Sequence, residues 1–558
     1  MTELREPEGG VPVRLGTFAF AHQGEGREAD RQPRLRVGLP DPGDVSPLSI
    51  TKEDWPTYRH DPDRTAHSPV AVSEHAGLLW HHKRTDPYWH FEEYDEDPMR
   101  PQGQPTEPVA AGGMLFYGGT DGAVRALEAA DGRSVWTYWT AGRIHTPPTV
   151  WNDRLYVGSG DGYVYCLEAA TGRLLWRFRA APRDERIMLH GHLQSRWPVL
   201  TGVLVREGRA CFAAGMTETK GVHVYALDAV TGEVIWQRDD AGVQTDTKEG
   251  LTPSGFMTAF KGKLWIRNRL SPPGVFDLET GKQTSLPVAD YVAERSYHWR
   301  RYFQSIGREV LHLGDGLIVE GGRKMFHELN HREGDRGYPG LNMRQYGPDG
   351  RSVYRAKVRL VKEAIIPPAF DERLMVVVPG GYGRYYKMVD GERRRVESPR
   401  PRGTQGLMAL DAAKVRQMAL AALRKSRGFS DEYTPGQMWA LNGQQLERGK
   451  DVPNYSEMLA ATPAFRWQFE DPWIQINAVA LAKNAAVITR GIQATDDRGR
   501  LVNEYEGWTV AALSREDGSI IWEHDLPGEP MLNGLCIDRT GRVIVSLREG
   551  GVVCVGGE

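Results

Sequence analysis

The stretch YVYCLEAATGRLLWRFRA, residues 163–180, contains the pattern that decides the fold. Apolar residues alternate up to Glu168, which is the period of a half-buried strand. Thr171 and Gly172 then supply a tight turn with positive φ, and a second apolar run that carries Trp176 follows. The stretch therefore predicts two strands joined by a hairpin, with a large indole on the returning strand.

The same pattern recurs at three other places along the chain. ALEAADGRSVWTYWT begins at Ala126, ALDAVTGEVIWQRDD begins at Ala226, and ALSREDGSIIWEHDL begins at Ala512 with a serine in place of the acid. We expect the shared tryptophans to pack between neighbouring sheets as structural docking residues. These tryptophans are Trp136, Trp176, Trp236 and Trp522. Another strand pair precedes each hairpin, so each unit predicts four short strands.

Counting the pattern and its weaker relatives gives eight units. The first seven lie near residues 106–140, 146–180, 197–238, 252–285, 310–358, 366–468 and 477–525. The eighth begins at Asn533 and runs out after three strands, and the segment GLLWHHKR at residues 77–84 is predicted to supply the fourth. The sequence therefore predicts an all-β, eight-bladed β-propeller of four-stranded antiparallel blades over residues 51–558, closed by its N- and C-terminal segments.

Two segments depart from the repeat. Residues 1–50 are rich in Pro, Gly, Arg and Asp and lack apolar periodicity, which predicts a linker or disordered arm. Residues 380–465 are predicted to be an insertion in blade six, and the run AAKVRQMALAALRKS from Ala412 has the apolar spacing of a helix. We expect this insertion to lie on the surface as a lid or a partner-contact element.

Composition restricts the classes of function. The 558 residues contain 70 Lys and Arg against 73 Asp and Glu, so no bulk charge attracts nucleic acid or an anionic membrane. The four cysteines form no C-x-x-C motif and no adjacent pair, which excludes a zinc ribbon and covalent haem. No apolar run reaches the roughly 18 residues of a transmembrane helix, and no signal-peptide pattern is present. We expect a soluble monomer, cytoplasmic if Met1 is the genuine start.

The repeat A-L-[DE]-A-x-[TD]-G-x-x-x-W resembles the tryptophan-docking motif of the pyrroloquinoline-quinone (PQQ) repeat β-propellers, over roughly residues 55–558. That superfamily includes the quinoprotein alcohol dehydrogenases and the outer-membrane assembly lipoprotein BamB, and it implies a periplasmic or exported protein. Its dehydrogenases hold PQQ in the central funnel, usually with calcium, an Asp base and, in many members, a disulfide between adjacent cysteines. This chain lacks adjacent cysteines and a matching set of calcium ligands. The resemblance is therefore closest to BamB-like members, which bind no quinone and act as scaffolds.

A short motif in the fifth unit matches a zinc-binding pattern. Residues 327–331 read HELNH, an H-E-x-x-H that on a helix would place two His side chains on one face. The flanking residues predict a strand and a turn, and Gly337 stands where a third His ligand would be needed. We therefore predict no zinc site at this motif.

Residues that precede each inner strand of a propeller line the mouth of its central channel. The predicted funnel residues are Arg143, His145, His192, Arg196, Lys362, Gln475, Asn477 and Asn533. Two interpretations of this set are open. The side chains form a pocket for a carboxylate, a sugar or a peptide, or they hydrogen-bond one another and channel water.

The sequence thus predicts a non-enzymatic binding or scaffolding propeller that needs no cofactor and recognises a protein, peptide or glycan partner. No trio of nucleophile, base and orienting group can be identified from spacing. The alternative is an enzyme in the axial funnel. It would be either a dehydrogenase that uses PQQ with calcium or a carbohydrate-active lyase with His145 or His192 as its base.

Overall fold

The computed structural model consists of a succession of small antiparallel sheets that follow one another along the chain. It describes residues 33–38, 45–83, 104–189, 192–216, 221–241, 251–268, 273–284, 309–321, 341–350, 353, 358–361, 366–379, 384–389, 392–397, 406–425, 459–469, 474–495 and 501–557.

The first three blades lie where the repeat predicts them. Two strands precede them, β1 (Leu35–Val37) and β2 (Gly77–His82). Blade 1 consists of β3 (Val109–Ala111), β4 (Met114–Gly118), β5 (Ala123–Glu128) and β6 (Ser134–Trp139). Blade 2 consists of β7 (Thr149–Trp151), β8 (Arg154–Gly158), β9 (Tyr163–Glu168) and β10 (Leu174–Arg179), and a hairpin of β11 (Arg186–Leu189) and β12 (His192–Ser195) follows it. Blade 3 consists of β13 (Leu204–Arg206), β14 (Arg209–Ala214), β15 (His223–Asp228) and β16 (Val234–Arg238).

The next three blades carry the longer connections. Blade 4 has three described strands, β17 (Pro253–Phe260), β18 (Lys263–Asn268) and β19 (Gly274–Asp277). Blade 5 consists of β20 (Glu309–His312), β21 (Leu317–Gly321), β22 (Leu341–Gln345) and β23 (Val358–Val361). Blade 6 consists of β24 (Ala369–Phe370), β25 (Leu374–Val377), β28 (Leu407–Asp411) and β29 (Phe465–Phe469), with the hairpin β26 (Arg384–Val389) and β27 (Glu392–Glu397) and the helix α1 (Ala412–Lys425) inserted between them.

The two ends of the chain close the ring in the last blade. Blade 7 consists of β30 (Ile474–Leu481), β31 (Ala485–Thr495), β32 (Leu501–Ser514) and β33 (Ile520–Leu526), and blade 8 contains β34 (Pro530–Ile537), β35 (Val543–Leu547) and β36 (Val552–Gly556). The fourth strand of blade 8 is β2, in which Gly77 pairs with Gly556 and Trp80 with Cys554. The prediction of an eight-bladed propeller closed by both termini is confirmed.

Part of the segment predicted as a linker or disordered arm is structured. Residues 35–37 form β1, which pairs antiparallel with β10 as a fifth strand on the outer edge of blade 2. Leu35 packs partly buried against the hydrophobic core between blades 2 and 3. The sequence of residues 1–50 does not indicate this strand, because the strand is only three residues long and the strand with which it pairs, β10, is more than 130 residues away in the chain.

The insertion predicted over residues 380–465 is divided by a strand of the blade itself. Leu407–Asp411 is the third strand of blade 6, so the extra chain lies on either side of it. The helix predicted from Ala412 is present, and the Asp411 carboxylate caps it by accepting from the backbone N–H of Lys414 at 3.0 Å. Its buried face, which carries Val415 and Ala419, packs against the core of blades 5 and 6. No helix among the described residues is long and apolar enough to cross a membrane.

The repeated tryptophans all make the same contact with the next blade. Each pairs across its own blade with the strand before it, next to an irregularity in register. The indole N–H groups donate to backbone carbonyls one blade further on, from Trp80 to Ala129 (3.1 Å), Trp136 to Ala169 (3.0 Å), Trp236 to Leu278 (3.0 Å), Trp467 to Arg515 (2.8 Å) and Trp522 to Ser73 (2.8 Å). In blade 8 the two outer strands, β36 and β2, come from distant parts of the chain and no hairpin joins them. The carbonyl of Ser73 is the acceptor there.

Trp176 is the exception in its hydrogen bonding. Its ring lies over Gly232 of blade 3 as the rings of Trp136 and Trp236 lie over Gly172 and Gly281, but its buried indole N–H has no acceptor among the described residues. The carbonyl at the corresponding position, that of Ala229, accepts instead from the hydroxyl of Tyr156 at 2.8 Å. The contact of Trp176 with blade 3 therefore rests on packing.

Candidate functional site at the axial mouth

Residues 54–68, which we call the axial segment, follow the inner strands around one end of the ring. Trp55 exchanges both backbone hydrogen bonds with Ala110 of blade 1, at 2.7 and 2.9 Å. The carbonyl of Pro56 accepts from the N–H of Val150 in blade 2 at 2.7 Å. Ala110 and Val150 are the middle residues of β3 and β7, and the Asp54 carboxylate accepts from the N–H of Gly112 in the turn that follows β3, at 3.2 Å.

The axial segment continues to the remaining side of the ring. Three of its carbonyls accept hydrogen bonds from later blades. The carbonyl of Pro62 accepts from the Thr258 hydroxyl in blade 4 (2.5 Å), that of Thr65 from the N–H of Phe370 in blade 6 (2.9 Å), and that of Ala66 from the N–H of Leu481 in blade 7 (2.8 Å). In blade 8, Arg539 forms an ion pair with Asp54 at 2.9 Å. The segment therefore closes the end of the ring at which the inner strands finish, and the opposite end is the mouth.

Backbone strain is concentrated in the axial segment. Arg59, His60, Arg64 and Ala66 have φ angles between 53° and 75°, four of the nine non-glycine residues with positive φ among those described. Each such residue costs on the order of 1 kcal/mol or more. The buried guanidinium of Arg64 offsets this cost, because it donates to the Tyr58 carbonyl at 2.8 Å and to main chain of blade 4 at 3.0 Å. No motif in residues 54–68 indicates this role.

Two titratable groups meet where the axial segment passes blade 5. Nδ1 of His312 lies 3.9 Å from Oδ1 of Asp63. Burial, followed by repulsion from Asp61, raises the pKa of the Asp63 carboxyl to about 6. Burial, followed by nearby Lys261, lowers the pKa of His312 to about 4. At neutral pH His312 is therefore an uncharged ring, which stacks on Phe260 with centroids 3.7 Å apart.

Blades 7 and 8 bring three of the predicted funnel residues to one part of the mouth. The amide of Gln475 donates to the Asn477 carboxamide at 2.8 Å, and Asn477 in turn donates to the carbonyl of Pro530 in blade 8 at 2.8 Å. The hydroxyl of Tyr505 donates to the other end of Gln475. These hydrogen bonds join the inner strands of blades 7 and 8. Gln475 and Asn477 therefore follow the second interpretation, in which the funnel side chains hydrogen-bond one another.

Asn533, on the neighbouring inner strand, differs from the other two amides. It has a φ of 58° and lies within a bulge-like irregularity of β34, between the paired residues Pro530 and Leu535. Its Oδ1 is buried and accepts no hydrogen bond from the described residues. A bulge re-aims a side chain away from the ordinary alternation of a strand. The signal in the sequence is the Asn-Gly pair at residues 533–534, which is unusual inside a strand.

An aromatic pair lies beside Gln475. Tyr505 and Trp508 have ring centroids 4.4 Å apart, and both side chains are half-buried. The indole rests on Gly491, where an added Cβ would lie 2.4 Å from Trp508 Cζ3. Gln475 pairs with Gly491 across the sheet, so the indole and this amide belong to one face of blade 7. We call Gln475, Asn477, Asn533, Tyr505 and Trp508 the mouth cluster.

Other predicted funnel residues lie in the connections that enter blades 2 and 3. Arg143 and His145 are half-buried in the loop that enters blade 2, and both have interaction partners. Arg196 forms an ion pair with Glu185, and its guanidinium lies 5.4 Å from the centre of the Trp197 ring. The contacts of Arg196 therefore lie within the connection between blades 2 and 3.

Three further positions complete the comparison with the sequence. His192 is the first residue of β12, in the hairpin after blade 2, where it pairs with Leu189. Lys362 lies outside the described residues, and so does the HELNH motif at 327–331. In the part of the chain that the structure describes, no three His, Cys, Asp or Glu side chains come together as a metal ion requires.

Comparison with known proteins gives consistent similarities of fold. The family model described as "Outer membrane protein assembly factor BamB" matches residues 70–195 and 120–271. The quinohemoprotein alcohol dehydrogenase ADHIIG from Pseudomonas putida HK5 is 12% identical with a TM-score of 0.51, over 92% of this chain and 83% of that chain. BamB from Moraxella catarrhalis is 12% identical with a TM-score of 0.44, over 81% and 96% of the two chains. No curated protein sequence matches the chain.

Eight antiparallel blades, joined by indole contacts and closed by the two termini, define an eight-bladed β-propeller. The repeat, the family model over residues 70–271 and the similarity in fold to a quinohemoprotein dehydrogenase are consistent with the PQQ-like β-propeller superfamily. At this identity the similarity shows the fold, and the function of the site has to be argued from its own residues.

The described mouth residues do not fit the quinone and calcium that some relatives hold. Calcium takes six to eight oxygen ligands, with carboxylates prominent among them, whereas the mouth cluster offers neutral amides. Two of those amides are engaged with each other and with Pro530. The four cysteines are free and buried, so no disulfide borders the site. We derive no chemical step through a quinone.

Proposed function

We propose that the protein is a non-enzymatic binding propeller whose ligand docks on the mouth cluster. The observation that supports this proposal is the carboxamide of Asn533, whose Oδ1 is buried and accepts no hydrogen bond from the described residues. A buried acceptor left in this way costs about 1–3 kcal/mol, and a positive φ adds to that cost. A ligand that donates a hydrogen bond to Oδ1 would remove the cost of the unpaired acceptor.

The chemistry of the cluster favours a neutral ligand with hydrogen-bond donors. An Asn Oδ1 accepts and does not donate, so it pairs with a hydroxyl or an N–H and repels a carboxylate. The half-buried rings of Tyr505 and Trp508, on the face of blade 7 that carries Gln475, add an apolar surface to the cluster. A glycan or the backbone of a peptide has this combination of properties. Both belong to the partner classes that the sequence suggests.

The proposal is tested by binding. Arrays of neutral oligosaccharides and of peptides are probed with the purified protein, and the best ligand of each class is measured by calorimetry. The test variant is Asn533→Gly, which keeps the positive φ and removes the carboxamide. We expect it to weaken binding by about tenfold or more, which corresponds to the loss of one buried hydrogen bond to the ligand.

Asn152→Gly is the matched control. Asn152 also has a positive φ, of 48°, but it lies in the turn between β7 and β8, where its residue is exposed. The same chemical change there should leave the affinity unaltered. The proposal is wrong if Asn533→Gly binds the ligand as tightly as the unmodified protein, or if neither array yields a saturable ligand.

A further inference from the structure

Residues 33–38, which we call the arm, lie along the outer edge of blade 2. Leu35 pairs with Phe178 of β10. The Arg34 carbonyl accepts from the N–H of Arg179 at 2.8 Å. The arm therefore continues the hydrogen-bond ladder of the blade outward by one strand, and it shows how this edge takes up an extended segment.

The side chain of Arg34 enters a slot between blades 2 and 3, which we call the arginine slot. Its guanidinium carbon lies 4.8 Å from the centre of the Phe178 ring and 5.2 Å from that of the Tyr225 ring. The two ring centroids are 5.4 Å apart, with planes at 67°. Aromatic faces attract a guanidinium group, so both walls of the slot favour an arginine side chain.

Four hydrogen-bond acceptors of blades 2 and 3 surround the guanidinium. They are the Tyr225 hydroxyl (2.6 Å), the carbonyls of Ala180 (3.1 Å) and Arg179 (3.0 Å), and Oε1 of Gln237 (3.3 Å). The Gln237 amide donates in turn to the Asp239 carboxylate at 3.0 Å. A guanidinium has five N–H donors in a fixed planar fork, whereas an ammonium group is a compact charge that cannot reach acceptors spread in this way. The slot is therefore selective for arginine.

The position after the arginine is built for an apolar residue. Leu35 is partly buried against the core between blades 2 and 3. An added Cβ at Gly232 would lie 2.8 Å from Cδ1 of Leu35 and 2.7 Å from Cδ2 of Trp176, so this leucine covers the indole contact of blade 2. Val37, two residues later, is 52% exposed. The edge therefore recognises an arginine followed by an apolar residue, and it makes no such demand further along the arm.

The arm fits less well one position beyond Leu35. Arg36 lies directly opposite Arg177 of β10. The buried Asp161 carboxylate accepts from the Tyr165 hydroxyl at 2.6 Å and from backbone N–H groups, and in the described part of the chain it forms no ion pair with either arginine. Like charges directly opposite each other destabilise a ladder. A segment with a neutral residue at this position should therefore bind the edge more tightly than the arm's own sequence.

We propose that the outer edge of blade 2 is a docking site for an extended segment of a partner protein, and that the arm occupies it as an intramolecular competitor. The partner segment carries an arginine for the arginine slot, then an apolar residue, then a neutral residue opposite Arg177. The backbone of β10 supplies the attachment and the slot supplies the specificity. The arm makes the weaker contact but gains from belonging to the same chain. This surface is separate from the mouth cluster and does not depend on the proposed function.

Three labelled peptides test the proposal by fluorescence anisotropy. The first has the sequence of residues 31–40, RQPRLRVGLP, the second carries Arg36→Thr within it, and the third carries both Arg36→Thr and Arg34→Gln. The protein variant Arg34→Ala weakens the arm and opens the slot. We expect it to bind the second peptide about tenfold or more tightly than the unmodified protein does. The matched control Arg133→Ala removes an exposed guanidinium of blade 1 and should bind as the unmodified protein does.

Comparisons among the peptides test the chemistry of the site. Against the Arg34→Ala protein, the third peptide should bind about tenfold or more weakly than the second, because it lacks the arginine. The second should bind several-fold more tightly than the first, and adding Arg177→Gln to the protein should remove this difference. Adding Tyr225→Phe should weaken the first two peptides and leave the third unchanged. Gln237→Ala, at an exposed position, makes the same test if Tyr225→Phe does not fold.

The outcomes that overturn the proposal are distinct. Absence of saturable binding to the Arg34→Ala protein, or equal affinity for the second and third peptides, overturns the docking site. Equal affinity of the unmodified and Arg34→Ala proteins for the second peptide overturns the role of the arm as a competitor. A preference for the second peptide over the first that survives Arg177→Gln overturns the explanation from opposed arginines.

Discussion

Replacing Gly172 by alanine should destabilise the protein through the indole contact that joins blades 1 and 2. Gly172 has a φ of 74°, and an added Cβ would lie 2.6 Å from Cδ2 and Cε3 of Trp136. The φ angle alone costs about 1 kcal/mol for an alanine. Overpacking against a ring adds about 1–3 kcal/mol, so we expect a total loss of about 2–4 kcal/mol.

A matched glycine separates the two contributions. Gly208 has a nearly equal φ of 71°, and a Cβ there would meet no atom within 4 Å. Gly208→Ala should therefore cost only the backbone part, about 1 kcal/mol. Unfolding by guanidinium chloride, followed by tryptophan fluorescence and circular dichroism, measures both variants. Equal losses in Gly172→Ala and Gly208→Ala would refute the argument that the indole contact holds the blades together.

Three further variants change the axial segment or its contact with blade 5. Arg64→Met removes a buried guanidinium that donates to the Tyr58 carbonyl, and we expect a loss of about 3 kcal/mol or more in denaturant unfolding; an exposed Arg133→Met should change little. His312 binds its proton less readily in the folded protein, with a pKa of about 4, so its contribution lowers stability as pH falls from about 6.5 to about 4, by about 3 kcal/mol in all. The Asp63 carboxyl, with a raised pKa of about 6, acts in the opposite sense, because stability due to it falls as pH rises from about 4 to about 6. His312→Phe keeps the stacking and should lose less stability from pH 6 to pH 4 than the unmodified protein does, whereas Asp63→Asn should lose more. Parallel pH profiles of the two variants in thermal unfolding would contradict this assignment.

The repeat is the part of the structure that the sequence predicts best. Strand alternation, the Thr-Gly or Asp-Gly turn and the tryptophan all lie within about 15 residues, so local chemistry fixes each unit. Ring closure also follows, since three strands remain at the C-terminus and one Trp-bearing strand lies unused at residues 77–84. The helix at Ala412 is equally local, with Asp411 as its cap.

The candidate site is less accessible from the sequence. We predicted Gln475, Asn477 and Asn533 as funnel residues because they lie at the start of an inner strand. The structure places all three in the inner strands of blades 7 and 8. The same criterion selected Arg196, whose partner Glu185 lies in a hairpin that the repeat does not contain. Side-chain pairing across loops depends on their path, and no periodic signal encodes that path.

By itself the sequence determines the number of blades, their strand order and the tryptophans that mark each one, because those features come from short-range alternation and turn chemistry. Tertiary structure alone decides that residues 54–68 close one end of the ring, that residues 35–37 extend blade 2, and that the Asn533 carboxamide is left with a buried acceptor. These features depend on contacts between segments far apart in the chain. They depend on which backbone N–H and C=O groups still lack a hydrogen-bond partner in the closed ring. Those groups are determined only when all eight blades have assembled.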